Sequence, residues 1–210
     1  MSPKEDEVIL SVPTSLMLTI DCIPPSFINR FRDGTAVQAI LAACLIHGDA
    51  ETIRKWDAWR RAWPTRRSFE DCMPVLWPEP LQASSLTSSS QGNAESSSVL
   101  LPPSASGLWN TIRKEPDPRA AEYEAIFQNI LPQQQKRLRV AWEDVSRAFP
   151  ETNWDVFSHY WLIVNSRSFY YVVPGEDPPK DWNDALGLVP FADYFNHLDD
   201  PVSALHFYIF

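Results

Sequence analysis

The eleven residues from Gly187 to His197 constrain the fold of this chain more than any other stretch. Apolar side chains there lead into three polar ones, Asp193, Asn196 and His197. Such an apolar run predicts a buried backbone, and polar groups at the end of a buried run cost about 1–3 kcal/mol each unless they are hydrogen-bonded. A small polar ligand would satisfy these groups. A helix end that runs into a turn at residues 198–201 would also place them.

Short extended segments are predicted near both ends of the chain. Residues 8–13 are rich in β-branched side chains and close at a proline, which predicts a strand that residues 16–19 can continue along a sheet edge. Residues 170–173 and 202–210 are also rich in aromatic and β-branched side chains and are predicted to be extended. Between them, a glycine and two prolines predict a surface turn at residues 175–179.

Apolar side chains at helical spacing occupy most of the chain between these segments. Residues 26–63 predict two helices, the first with a stripe that Asp33 or Thr35 can cap and Gly48 can end. Asp49 is the expected cap of the second helix. The stripe of the first helix consists of Val37, Ile40, Leu41, Cys44 and Leu45.

Three more helices are predicted further along. The first starts with Asp117 as its cap and Pro118 in its first turn, and Pro132 breaks or kinks it. The second ends at Pro150. The aromatic side chains of these helices are expected to pack in the core, and none of them is assigned to a cofactor site.

The last of the three helices is predicted to lead into the candidate site. Thr152 or Asn153 can cap its start, and Arg167 lies where the helix gives way to an extended segment. A cation at a helix C-terminus complements the helix dipole, which is one sufficient reason for an arginine there.

Composition and charge exclude several classes of function. A net charge of −9 and a pI of about 4.9 do not suit a phosphate-binding face, so no nucleic-acid partner is expected. No apolar run reaches the roughly 18 residues that span a bilayer, and the first residues are charged, so we expect no membrane partner and a cytosolic or nuclear protein. The spacing of Cys22, Cys44 and Cys72 predicts reduced thiols and no metal site. Residues 83–98 are half serine and predict a disordered loop.

Two short motifs lie close together near the end of the chain. Ala192-Asp193-x-x-Asn196-His197 follows Ser166-Arg167-Ser168-Phe169 by roughly 25 residues. This pair resembles the SET-domain protein-lysine methyltransferases, and in particular the subgroup typified by the Rubisco large-subunit methyltransferase, which carries a helical insertion inside the SET domain. The segment Met73-Pro74-Val75-Leu76-Trp77-Pro78 is similar to the Pro-Leu-x-Trp-Pro connector of that insertion.

The resemblance implies S-adenosylmethionine (SAM) as cofactor and a lysine-containing protein as substrate. Arg167, Asn196 and His197 are expected to bind SAM, with Arg167 near its carboxylate because a guanidinium can make two parallel hydrogen bonds to that group. Ser166, Arg167 and Asp193 are expected to line the substrate pocket. No residue is assigned to catalysis.

The chain departs from the family pattern at three places. It begins with Met-Ser-Pro-Lys where the family has a glycine-rich turn around the methionine end of SAM. The family's catalytic tyrosine follows further strands beyond the position of Phe210, and Tyr208 lies too close to the Asn-His pair to replace it. Tyr171 stands where the subgroup often has a second basic residue. We therefore expect an incomplete SET domain that binds SAM weakly and transfers no methyl group by itself.

Together these observations predict an α+β chain. Residues 1–23 and 166–210 are expected to supply strands to one SET-like β core, and residues 24–165 to form a mostly helical insertion. The predicted function is transfer of a methyl group from SAM to a lysine side chain. One alternative is a non-catalytic SET-like module whose insertion binds a partner protein. The other is an unrelated helical scaffold in which the motifs are coincidental, and the connector at residues 73–78 argues against it.

Overall fold

The regular structure of the residues described below is mainly helical, with one small sheet. The computed structural model describes residues 10–77, 120–181 and 184–194, and for residues 120–130 it describes the backbone alone. This composition is compatible with the predicted α+β class. The helices are α1 (Pro25–Ile28), α2 (Val37–His47), α3 (Ala50–Arg54), α4 (Asp57–Arg60), α5 (Arg66–Cys72), α6 (Ala120–Ala148) and α7 (Trp154–Arg167), and the strands are β1 (Ser168–Tyr170) and β2 (Leu186–Leu188).

The chain divides into two units, one formed by residues 1–64 and 140–210 and the other by residues 65–139. In the first unit, α7 packs against α2. Helix α2 is apolar around most of its circumference and is buried accordingly, so more than its predicted stripe lies in the core. The buried side chains of α7 are Phe157, Ser158, Trp161, Leu162, Ile163 and Val164. Among the described helices, none combines the length and the apolar character that a membrane crossing requires.

In the second unit, a hydrogen bond connects helix α5 to the turn that follows it. The Thr65 hydroxyl accepts a hydrogen bond from the Ser68 amide at 3.1 Å and caps the helix. The Trp77 indole donates to the Glu70 carbonyl at 2.9 Å, which ties the 3-10 turn Pro74–Leu76 to the helix.

Two of the predicted helix caps are confirmed. The Asp49 carboxylate accepts from the Thr52 amide at 2.8 Å at the start of α3. The Asn153 side chain accepts from the amides of Asp155 and Val156 at 2.7 and 3.4 Å at the start of α7. Each cap satisfies amides that have no partner inside the helix.

The predicted cap of α2 is wrong. Neither Asp33 nor Thr35 stands at the N-cap position, which is occupied by Ala36 without a side-chain hydrogen bond. The Val37 amide donates instead to Asp184 at 2.9 Å, a residue 147 positions away. A residue brought close by the tertiary fold has therefore taken the role expected of a local one.

The strand predicted at residues 8–13 is wrong over its described part, residues 10–13, which belong to no strand. The chain turns instead: the Leu16 amide donates to the Pro13 carbonyl at 2.9 Å, and Thr14–Leu16 form a 3-10 helix. Pairing begins only at Leu18, which exchanges two hydrogen bonds of 3.0 and 2.9 Å with Leu188. The predicted edge is thus reduced to a single bridge.

Strand β2 pairs with segments from two distant parts of the chain. It pairs antiparallel with β1, with Ser168 opposite Leu188 and Tyr170 opposite Leu186, while its other side carries the Leu18 bridge. At Gly187 any side chain would collide, since a Cβ atom would lie 2.7 Å from Thr19 Cγ2. The glycine therefore permits the close approach of the N-terminal segment.

The extended segment predicted at residues 170–173 begins earlier, at Ser168, and its regular part ends at Tyr170. Beyond it, the Tyr171 amide still donates to the Ala185 carbonyl at 3.0 Å. The surface turn predicted at residues 175–179 is confirmed, with Gly175 at a φ of 87°.

The sequence predicts that Pro132 breaks or kinks a helix; α6 continues through it, so the break does not occur and the two helices predicted on either side are one. A proline removes one backbone hydrogen bond, and the other bonds of this 29-residue helix hold it together. Its predicted start at residues 117–118, the serine-rich loop at 83–98 and the strand at 202–210 lie outside the described residues.

Candidate functional site

Helix α7 ends at Arg167, as the sequence predicts, and the extended β1 follows at once. The side chains at this end bond back into the helix. The Ser166 hydroxyl donates to the Leu162 carbonyl at 2.7 Å, and the Ser168 hydroxyl donates to the Val164 carbonyl at 2.5 Å. These bonds use the hydroxyl protons to satisfy carbonyls near the helix end, so Ser166 keeps only acceptor capacity toward a ligand.

The chain makes a tight turn after β2. The Ala192 amide donates to the Val189 carbonyl at 3.2 Å, and the 3-10 turn Ala192–Tyr194 follows. Phe191 has a φ of 67°, in the left-handed region that a bulky side chain seldom adopts. Such a backbone costs roughly 1–3 kcal/mol and persists only where its surroundings hold it. The turn therefore restricts the backbone position of Asp193.

Asp193 meets Arg167 across a buried ion pair. The Arg167 guanidinium donates through Nη1 to Asp193 Oδ2, and the other carboxylate oxygen accepts from the Trp59 indole at 2.8 Å. The Asp193 side chain is 4% exposed and the Arg167 side chain 17%. The two motifs of the sequence and helix α4 of the predicted insertion therefore converge on one carboxylate.

One donor of this arrangement has no acceptor. Arg167 Nε is buried and makes no hydrogen bond with any described residue. Burial lowers the pKa of Arg167, an effect that Tyr194 partly opposes. An arginine stays protonated in proteins, so the site holds a cation with an unused donor edge. A buried donor without an acceptor is costly, which makes it a place where an acceptor ligand would bind.

Aromatic side chains pack around Trp59. The Trp59 and Trp63 rings meet edge to face at 4.9 Å, and Trp63 lies 6.2 Å from the Tyr160 ring. Arg60 donates to the Tyr160 hydroxyl at 2.7 Å. Trp59 is almost fully buried, but the sequence did not indicate it as a partner of the candidate site. Its helical spacing carried no signal for a contact with Asp193.

The structure brings together three of the five residues predicted for the site. Ser166 precedes Arg167 at the end of α7, and Asp193 contacts Arg167 directly. Asn196 and His197 lie outside the described residues. In the described part of the chain, no three His, Cys, Asp or Glu side chains gather into a possible metal site.

Two open cavities of about 340 and 370 Å³ lie elsewhere in the first unit. Neither is lined by Arg167 or Asp193, so the buried pair rather than a cavity marks the candidate site. No protein-family model, curated protein or solved structure matches this chain. Its function is therefore argued from the site and from the motifs that form it.

Proposed function

We propose that this chain belongs to a protein-lysine N-methyltransferase of the SET type, in which it supplies the floor of the SAM site. The observation that carries the proposal is the contact between Arg167 and Asp193. Each residue comes from one of the two motifs that resemble the family, and a chance pair of motifs has no reason to meet in one buried ion pair.

Arg167 is the proposed partner of the SAM carboxylate. Its Nη1 holds Asp193, while its Nε is a buried donor without a described partner. A carboxylate that binds from the Nε side would complete the donor fork without displacing Asp193. Asn196 and His197 are the proposed contacts of the nucleoside, on the strength of the resemblance.

The pairing around β2 supports a single β core split by an insertion. Leu18 and Ser168 lie on opposite sides of β2, each paired with Leu188. Segments that flank the helical part of the chain thus belong to one small β arrangement, as a SET-like core requires.

The reaction depends on a dry, well-oriented site. When bound, SAM would supply an electrophilic methyl group, which only a neutral lysine amine could attack. With a lysine pKa of about 10.4, deprotonation at pH 7 costs roughly 4–5 kcal/mol, which apolar surroundings lower by disfavouring the ammonium. Asp193 retains lone pairs beyond its two bonds, and Ser166 retains an acceptor oxygen, so both can orient a lysine side chain.

The test is transfer of a labelled methyl group from SAM to lysine by the natural gene product that contains residues 1–210. We expect methyl-lysine in substrate proteins, identified by mass spectrometry. Arg167→Gln should weaken SAM binding about tenfold, the loss of one charge-assisted interaction. Arg147→Gln is the matched control, because Arg147 also pairs with an aspartate near a helix end but is 59% exposed. A gene product that neither binds SAM nor methylates lysine would refute the proposal.

A non-catalytic SET-like binding module is the second candidate. It is favoured by exposed aromatic side chains beside the site: Phe191 and Tyr194 meet edge to face at 5.6 Å and remain 38% and 49% exposed. Aromatic side chains at a surface are typical of protein-binding sites. Methyl transfer by the gene product would decide for the enzyme, whereas SAM binding without transfer would favour the module.

A further inference from the structure

Two buried tryptophans of the same helical segment each use their indole N–H once. Trp56 donates to the Leu16 carbonyl at 2.7 Å, and Trp59 donates to Asp193 Oδ1 at 2.8 Å. Both side chains are almost fully buried, at 2% and 1% exposure. Trp56 therefore ties down backbone, while Trp59 reaches the charged group of the candidate site.

The contact with Trp59 determines how Asp193 faces Arg167. With one carboxylate oxygen on the indole, only Oδ2 accepts from the guanidinium. A carboxylate free of the indole could turn and accept from Arg167 with both oxygens, the arrangement that this ion pair generally prefers. That arrangement would use two donors of the guanidinium instead of one.

Asp193 is held on its other side by the turn that carries it. Phe191 keeps its φ of 67° within the hydrogen-bonded turn from Val189 to Tyr194. Because this backbone is strained, it needs a tether, and the buried carboxylate supplies one through donors that are 26 and 134 positions away.

We propose that Trp59 is a positioning residue of the SAM site. By holding one oxygen of Asp193, it limits the ion pair to a single contact at Nη1 and leaves the opposite edge of the guanidinium, Nε with its neighbour Nη2, for the carboxylate of the ligand. This inference rests on the proposed function and assigns part of the site to the predicted insertion.

The experiment compares Trp59→Phe with Trp56→Phe in the natural gene product. Each variant removes one indole N–H from a buried site, so both should lose similar thermal stability. Only Trp59→Phe should weaken SAM binding, by about tenfold in a calorimetric titration, because only that N–H orients the site. The NMR signal of Arg167 Nε–H reports on the edge of the guanidinium that it shares with Nη2. It should move on Trp59→Phe in the free protein, as Asp193 takes up the neighbouring Nη2 donor, and stay in place on Trp56→Phe.

The outcomes separate this inference from the proposed function. If the wild type binds SAM and the two variants bind it equally well, Trp59 has no positioning role, while the methyltransferase proposal stands. If the wild type neither binds SAM nor methylates lysine, both fall. Should Trp59→Phe not fold, 3-benzothienylalanine at position 59 keeps the bicyclic ring and removes the donor. Undiminished SAM affinity in that protein would overturn the inference.

Discussion

Two buried aspartates of the first unit, Asp193 and Asp144, are held in different ways. The Asp144 side chain is 3% exposed and pairs with Arg32 at 2.7 Å and Arg147 at 3.2 Å. Both of these arginines are more than half exposed. Asp193 is equally buried, but its arginine lies inside with it and its second partner is a neutral indole.

The difference supports the site proposed at Asp193. Arg32 and Arg147 extend from Asp144 into water, so their remaining donors are solvated. Their ion pairs with Asp144 stabilise the fold at the surface. Around Asp193 the cation is desolvated and keeps an unused buried donor. Such an arrangement is expensive for stability alone and is typical of a site that awaits a ligand.

The largest effect is expected from Asp193→Asn. The substitution leaves the Arg167 cation buried without its counter-charge, which should lower the free energy of unfolding by about 3–5 kcal/mol. Urea denaturation followed by fluorescence of the nine tryptophans measures this loss. The matched control is Asp144→Asn, whose arginines can turn to water, so we expect a loss of only about 1 kcal/mol. Equal losses in the free energy of unfolding for the two variants would contradict the difference between Asp193 and Asp144.

A smaller effect should distinguish the two aspartates by how their variants respond to salt. At about 1 M ionic strength the Debye length falls to about 3 Å, which screens exposed charges far more than buried ones. The loss caused by Asp144→Asn should therefore shrink toward zero in 1 M NaCl, whereas that of Asp193→Asn should change little. Repeating the urea titrations in low and high salt tests this, and a parallel decline in both would show that Arg167 is solvated.

The smallest effect should come from lowering the pH, through His47 in the first unit. His47 stacks on Phe149 at 4.4 Å, and its Nε2 lies 2.7 Å from the Thr152 hydroxyl. Burial lowers the pKa of His47; the nearby Glu151 raises it and Arg30 lowers it further. The folded protein thus binds fewer protons than the unfolded chain, so stability present above pH 6.5 is lost as pH falls through the lowered pKa.

The measurement is the urea midpoint of the wild type and of His47→Gln between pH 7.5 and 5.5. The wild type should lose stability over this range, by less than either aspartate variant costs, and His47→Gln should lose less. An identical pH dependence in both proteins would place the titration elsewhere.

Much of the candidate site could be predicted because its signals are local. The start of α7 follows from the capping side chain of Asn153, and its end at Arg167 follows from the change to an extended segment. The apolar run from Gly187 predicts burial, which Leu188 confirms and Phe191, at 38% exposure, does not. That Arg167 and Asp193 would line one pocket was expected only from the resemblance, and their ion pair was not expected.

The predicted N-terminal strand was missed because a local turn, closed by the bond from the Leu16 amide to the Pro13 carbonyl, follows directly after its described part. The predicted cap of α2 was missed because a distant residue, Asp184, replaces it. Local propensity cannot reveal such contacts, because their free energy depends on which segments the fold brings together.

By itself, the sequence determined where α7 begins and ends, that Leu188 is buried, and which two motifs carry charge. These properties depend on neighbours within a few residues. Only the tertiary structure decided that Trp59 shares the Asp193 carboxylate with Arg167 and that Arg167 Nε is left without a described partner. A hydrogen bond between residues 134 positions apart requires a fold that brings them within about 3 Å, and no local pattern specifies that distance.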